Sequence, residues 1–136
     1  MKVLKVDHIG LAVKSLQDTL PFYEEILGIK SNGTEEIPDQ KVRVAFLPVG
    51  DSEIELLEAT EPDSPIAKFI ESRGEGLQHI ALRVDDIEAT IAELKEKGVR
   101  MIDEKPRYGA GGASIAFVHP KATKGLLLEL SQRNDD

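Results

Sequence analysis

The sequence predicts an α+β fold made of two tandem copies of one βαβββ module. Three observations predict it. Residues Val6 to Val13 (VDHIGLAV) lie over Leu77 to Val84 (LQHIALRV) at an offset of 71, which pairs His8 with His79 and Leu11 with Leu82. Both segments alternate apolar with small or polar residues, as strands do. Each is followed by apolar residues at helical spacing. A length of 136 residues suits one domain, or two half-size modules sharing a core. The expected division is module one at 1–60, a helical linker at 61–76 and module two at 77–136.

Taken in order, the first strand of each module has Ile9, Leu11 and Val13, or Ile80, Leu82 and Val84, on its packed face. His8 and His79 then share the other face with Gly10 and Ala12, or Ala81, whose small side chains leave room beside the imidazole. Leu16, Leu20 and Tyr23 match Ile87, Ile91 and Leu94 as the apolar stripe of the following helix. Ser15 with Asp18, and Asp85 with Glu88, resemble N-cap pairs, and Gly28 and Gly98 stand where helix ends favour Gly. Pro21 leaves the first helix either kinked or starting later, with Pro21 in its first turn. Second strands are expected near Ser31 to Ile37 and Val99 to Asp103. Third strands follow at Val44 to Leu47 (VAFL) and Ile115 to Val118 (IAFV), again 71 apart. Fourth strands carry Ile54-Glu55-Leu56 and Leu128-Glu129-Leu130, 74 apart, the second copy having three extra residues in its HPKATKG turn. In each fourth strand the Glu faces away from its apolar neighbours. In the linker, Ser64 before Pro65 reads as a cap and first turn, with Ile66, Phe69 and Ile70 behind them.

Composition narrows the function. With 17 Lys and Arg against 25 Asp and Glu, the net charge of −8 repels phosphate backbones and anionic membrane surfaces, so neither nucleic acid nor membrane is an expected partner. No apolar run is long enough to span a bilayer, and the charges in MKVLKVDHIGLAV come too early for a signal peptide, which leads us to expect a cytoplasmic protein. The absence of Cys removes disulfides, thiolate nucleophiles and thiolate ligands. Gly109-Ala110-Gly111-Gly112 lacks the spacing and context of a nucleotide loop.

What remains is a pseudo-twofold set of two His and two Glu: His8, Glu55, His79 and Glu129. A polar group on an inner sheet face needs a partner to offset its desolvation. Imidazole nitrogen with carboxylate oxygen suits a divalent ion such as Co²⁺, Ni²⁺, Mn²⁺, Fe²⁺ or Zn²⁺. Four protein ligands leave two octahedral positions for a substrate that chelates through two oxygens, which points to enolate chemistry.

The two modules, with DHIGLAV and QHIALRV opening them and IELLE and LLLELSQ closing them, resemble the vicinal oxygen chelate superfamily. The linker DSPIAKFI, GLQHIALRVDDIEA and YGAGGASIAFVHPKATKGLLLEL resemble its methylmalonyl-CoA epimerases most, over nearly the whole chain. The resemblance implies a curved mixed sheet around one divalent metal ion per chain, Co²⁺ first with Ni²⁺, Mn²⁺ or Zn²⁺ as alternatives. It implies a homodimer and interconversion of the 2R and 2S forms of methylmalonyl-CoA. It places metal ligands at His8, His79 and Glu129, with Glu55 where some members have Gln. It also implies that Glu129 is one of the two groups that move the C2 proton. Where some epimerases carry a second acid on the third strand, this chain has Val44, which leaves Glu55 or a bound water for the opposite face. Lys121, Lys124 and Arg107 are the expected contacts for coenzyme A phosphates, with Ser114 near the thioester. His119, which has no partner in the repeat, is expected at a loop or substrate rim. The alternatives are a glyoxalase I-type enzyme and a metal-free sequestering protein of the same fold, against which HPK, DSPIAKF and the four matched ligand-type residues argue. A ring-cleaving dioxygenase would use two His and one Glu, and an extra carboxylate would block oxygen.

Overall fold

The computed structural model describes residues 1–133. The chain forms two compact units, one of His8–Gln78 and one in which Met1–Asp7 joins the residues from His79 onward. Each unit is a four-stranded mixed sheet with a helix packed on one face.

In the first, β1 (Val3–Ala12) runs parallel to β4 (Ser52–Ala59) through His8–Ala12. The antiparallel strands β3 (Val42–Val49) and β2 (Thr34–Ile37) complete the order β2-β3-β4-β1. Helix α1 (Leu16–Pro21) lays Leu16 and Leu20 over Val13, Ala45, Leu47 and Leu56. Pro21 resolves as a disturbance inside the helix: after it the chain widens into one π turn, Phe22–Ile26, closed by Leu27 N–H to Phe22 O at 3.1 Å. A residue without an N–H cannot continue the regular ladder, and the wider turn absorbs the defect.

The linker helix α2 (Pro65–Arg73) starts as predicted, with buried Ser64 accepting from Ile66 N–H at 3.1 Å. In the second unit β5 (Gly76–Val84) runs parallel to β8 (Leu128–Gln132), and β7 (Ser114–Val118) and β6 (Arg107–Tyr108) extend the sheet antiparallel. Helix α3 (Ile87–Glu96) packs Ile87 and Ile91 on Val84, Ala116, Val118 and Leu130.

The repeat extends to details of hydrogen bonding. Thr19 Oγ1 donates to Ser15 O and Thr90 Oγ1 to Asp86 O, each at 2.7 Å. Glu58 from β4 accepts from Leu16 N–H at 2.7 Å, and Gln132 from β8 accepts from Ile87 N–H at 2.8 Å. The last strand of each module thus caps its helix, satisfying an amide that the helix cannot. Gly98 closes α3 in the left-handed region at φ 81°, with Val99 N–H bonded to Leu94 O.

Three expectations need correction. The cap of α3 is Asp86, which accepts from Ala89 N–H at 3.0 Å, because Asp85 is engaged by the amide of Lys2 at 3.1 Å. β2 begins at Thr34, after Gly33 at φ 96°, and not at Ser31. Val99 to Asp103 contributes only a single bridge, Met101 to Val118. The Asp103 carboxylate takes the Phe117 N–H at 2.8 Å, a donor that a continuing ladder would need, and β6 at Arg107–Tyr108 becomes the edge. Among the described residues no helix is long and apolar enough to cross a membrane.

Replacing Ser64 by Ala should cost about 1 to 2 kcal/mol, the loss of one N-cap. A lower urea midpoint at unchanged slope would show it.

Candidate metal and substrate site

On β1 the residues facing away from α1 are His8, Gly10 and Ala12, all buried, while Ile9 is 36% exposed. The histidine face is therefore enclosed, while Leu11 and Val13 pack under the helix as expected. The parallel register sets Gly10 beside Glu55, and the antiparallel register sets Phe46 on its other side. The second unit repeats this with Ala81 and Phe117 flanking Glu129. A carboxylate at mid-sheet is thus given a small residue on one neighbour strand and an aromatic wall on the other.

His8 Nδ1 lies 3.3 Å from Glu55 Oε2, and His79 Nε2 lies 3.2 Å from Glu129 Oε1. All four residues are at most 4% exposed. Two ligand atoms each roughly 2.1 Å from one ion sit about 3.0 to 3.4 Å apart at octahedral or tetrahedral angles, so either pair could occupy neighbouring positions of one coordination sphere. The donor set, nitrogen and oxygen without sulfur, fits a divalent ion of intermediate hardness. The Phe117 and His79 rings lie nearly perpendicular at a centroid distance of 5.8 Å, and the Arg107 guanidinium lies 5.5 Å from the Phe117 centroid. Opposite Ile115 in the register, Arg107 projects on the same face as Phe117 and Glu129. Its Nε is also 3.4 Å from Asp103.

The other expected substrate contacts divide. Ser114 pairs with Gln132, whose side chain caps α3, so Ser114 faces the helix side of β7, away from Glu129. That placement gives no support to a thioester contact. Lys121 and Lys124 are exposed on a tight turn, Lys124 at φ 65°, closed by Gly125 N–H to Pro120 O at 2.8 Å. His119 Nδ1 accepts from Lys121 N–H at 3.0 Å, which leaves the ring proton on Nε2. Its pKa is lowered from 6.5 by desolvation first, then by Arg100 and Lys121.

Val44, 1% exposed, cannot move a proton. The register nevertheless sets Glu35 of β2 directly opposite it and on the same face as Phe46 and Glu55. This carboxylate was not visible in the sequence, where Val44 and Glu35 are nine positions apart. Only the pairing of an edge strand brings them side by side. Glu35 occupies in the first unit the lattice position that Arg107 occupies in the second.

Charge follows the same division. Residues His8–Gln78 hold 6 Lys and Arg against 14 Asp and Glu, whereas the remaining chain holds 11 against 11. The whole net charge of −8 belongs to the first unit.

Residues 7–117 match the family model described as Glyoxalase/Bleomycin resistance protein/Dioxygenase superfamily. The chain belongs to this superfamily. Within the superfamily it is 36% identical to an ethylmalonyl-CoA/methylmalonyl-CoA epimerase of Cereibacter sphaeroides, over 94% of this chain and 97% of that protein. A methylmalonyl-CoA epimerase solved with methylmalonyl-CoA and NH4+ superposes with a TM-score of 0.92 at 37% identity, over 98% of this chain and 96% of the other. A hypothetical protein of Bacillus halodurans C-125 superposes at 0.95 with 51% identity, over 97% and 96%.

With its pKa depressed, folded His119 binds fewer protons than the unfolded chain near pH 6. It therefore lowers stability as pH falls through 6.5 and leaves it unaffected above. Its NMR titration midpoint should lie below 6.5, and in His119→Gln that acid-side loss should shrink.

Proposed function

We propose that the chain is a metal-dependent epimerase interconverting the 2R and 2S forms of methylmalonyl-CoA. One observation carries the reading: each module buries a His–Glu pair at coordination spacing, in a chain similar along its length to an epimerase solved with that substrate. His8, Glu55, His79 and Glu129 would hold one divalent ion, Co²⁺ first among Ni²⁺, Mn²⁺ and Zn²⁺. When bound, the ion supplies Lewis acidity to the thioester and carboxylate oxygens flanking C2.

The chain's own residues then divide the work. Inversion needs a base on one face of C2 and an acid on the other, since a single group would return the proton to its origin. Glu129 takes the first part. Glu55, at the equivalent position of the repeat, is the ligand expected to serve the second face, and Glu35 is a further carboxylate on that face of its sheet. Arg107, Lys121 and Lys124 attract the coenzyme A phosphates from the unit that carries no net negative charge. A homodimer belongs to the same reading, supported by exposed apolar residues Val3, Leu4 and Val6 on β1.

Incubation with methylmalonyl-CoA in D₂O should place deuterium at C2, cease with chelator and return with Co²⁺. No metal-dependent exchange, with glyoxalase activity in its place, would exclude the reading. Glu129→Ala and Glu55→Ala should each lower kcat at least 100-fold, on the order of one acid–base contribution. If Glu55→Gln turns over fully while Glu35→Gln loses epimerisation but keeps exchange of one epimer, the second-face role passes to Glu35.

A further inference from the structure

The second unit buries one more charged group, which the chemistry above does not name. Asp7, 3% exposed, is bound by two guanidiniums. Arg83 Nε donates to Oδ2 at 2.9 Å. Arg133 adds a two-pronged contact, Nε to Oδ2 at 3.2 Å and one terminal nitrogen to Oδ1 at 2.9 Å. The other terminal nitrogen of Arg133 donates to Ala110 O at 3.0 Å. One planar fork thus grips a buried carboxylate with one edge and the Gly-rich loop with its remaining arm.

The loop is shaped for that grip. Gly111 sits at φ 73°, and a Cβ there would lie 2.6 Å from the Arg133 nitrogen that holds Ala110. At Gly109 a Cβ would lie 2.5 Å from Ile115 Cγ2. Gly109 N–H bonds Ala113 O at 2.9 Å, and Gly112 N–H bonds Gly109 O at 3.2 Å, which closes the loop on itself. The loop joins Arg107–Tyr108 to the strand that carries Ile115 and Phe117. The loop is continuous with both, and the Phe117 ring in turn lies nearly perpendicular to that of His79, with centroids 5.8 Å apart.

We propose that Arg133 is a positioning residue for substrate binding. Anchored on Asp7, it fixes the backbone of Ala110 and Gly111 and so sets the Gly-rich loop, with Arg107 at its base, to receive the acyl-CoA. The role requires guanidinium geometry and not charge alone. An ammonium is a point donor that cannot hold two carboxylate oxygens and a carbonyl in one plane. Arg83 remains on Asp7 when Arg133 is lost, so the buried carboxylate keeps a countercharge and the fold survives.

The inference rests on the epimerase reading, and its test separates the two. Steady-state epimerisation and amide hydrogen exchange of residues 109–113 are measured for wild type, Arg133→Gln, Arg133→Lys and Gly111→Ala. Both Arg133 variants should raise KM about 10-fold with kcat within about 3-fold, as expected when binding is lost and chemistry is not. Loop exchange should accelerate alongside. Gly111→Ala should reproduce both effects by pushing the guanidinium away. Wild-type KM and loop exchange in Arg133→Gln would overturn the proposal, as would full rescue by Arg133→Lys, which would reduce the role to charge. A wild-type chain that never turns over methylmalonyl-CoA would sink the reading of function instead, while faster loop exchange in the variants would still identify Arg133 as the anchor of the loop.

Discussion

The constraint on which the rest depends is the cost of burying a carboxylate in the middle of a sheet. An ionised carboxylate taken out of water loses several kcal/mol of hydration, which a partner must return. Glu55 and Glu129 each have an imidazole nitrogen within 3.3 Å. The imidazole in turn needs space, and that need explains Gly10 and Ala81 beside the two acids. With the acids and imidazoles at the centre of one sheet face, the packing against the helix falls on the other. This is why Leu56 and Leu130 alternate with the acids and why α1 and α3 cover only that side.

Duplication supplies the two acids, and divergence makes the halves unequal. The helix-capping contacts of Glu58 and Gln132, and of Thr19 and Thr90, survive in both copies because each satisfies a helix terminus. The edge strands do not survive alike. β2 places Glu35 opposite Val44, while the equivalent place opposite Ile115 holds Arg107. Leu57 in one half corresponds to Ser131 in the other, both fully or nearly buried. On the proposed reading, the reaction is near-symmetric but the molecule is not: proton transfer asks for equivalent groups on two faces, while the long anionic tail makes the two ends of the substrate unlike. Conserving the centre of each sheet while altering its edge meets both demands.

How far the sequence reveals this follows from the range of each interaction. Strands, helix stripes, the Ser64 cap and the four buried His and Glu residues were legible, because alternation and a repeat are one-dimensional signals. Pro21 announced a disturbance without its form, since the choice between a later start and a widened turn depends on Leu16 finding Glu58 across the sheet. Asp85 and Asp86 were indistinguishable as caps until Lys2 claimed the first. Glu35 and the Asp7–Arg133 contact lay out of reach for a stronger reason. Edge-strand register and an ion pair spanning 126 positions leave no periodic trace. Ser114, plausible by neighbourhood, lies on the helix side of its strand by parity, which neighbourhood alone does not reveal.

The distribution of charge resolves the tension between an acidic protein and an anionic thioester. A uniform net charge of −8 would oppose binding by its long-range field. Here the excess lies wholly within His8–Gln78, shared between the first module and the linker, while the second unit is balanced at 11 against 11. Arg107, Lys121 and Lys124 all belong to the balanced unit. At physiological salt, charges more than about 8 Å away are largely screened, so an approaching phosphate responds to nearby cations more than to the total. On the proposed reading, the cations near the Gly-rich loop and in the HPKATKG turn, and not the total charge, are what a phosphate would meet.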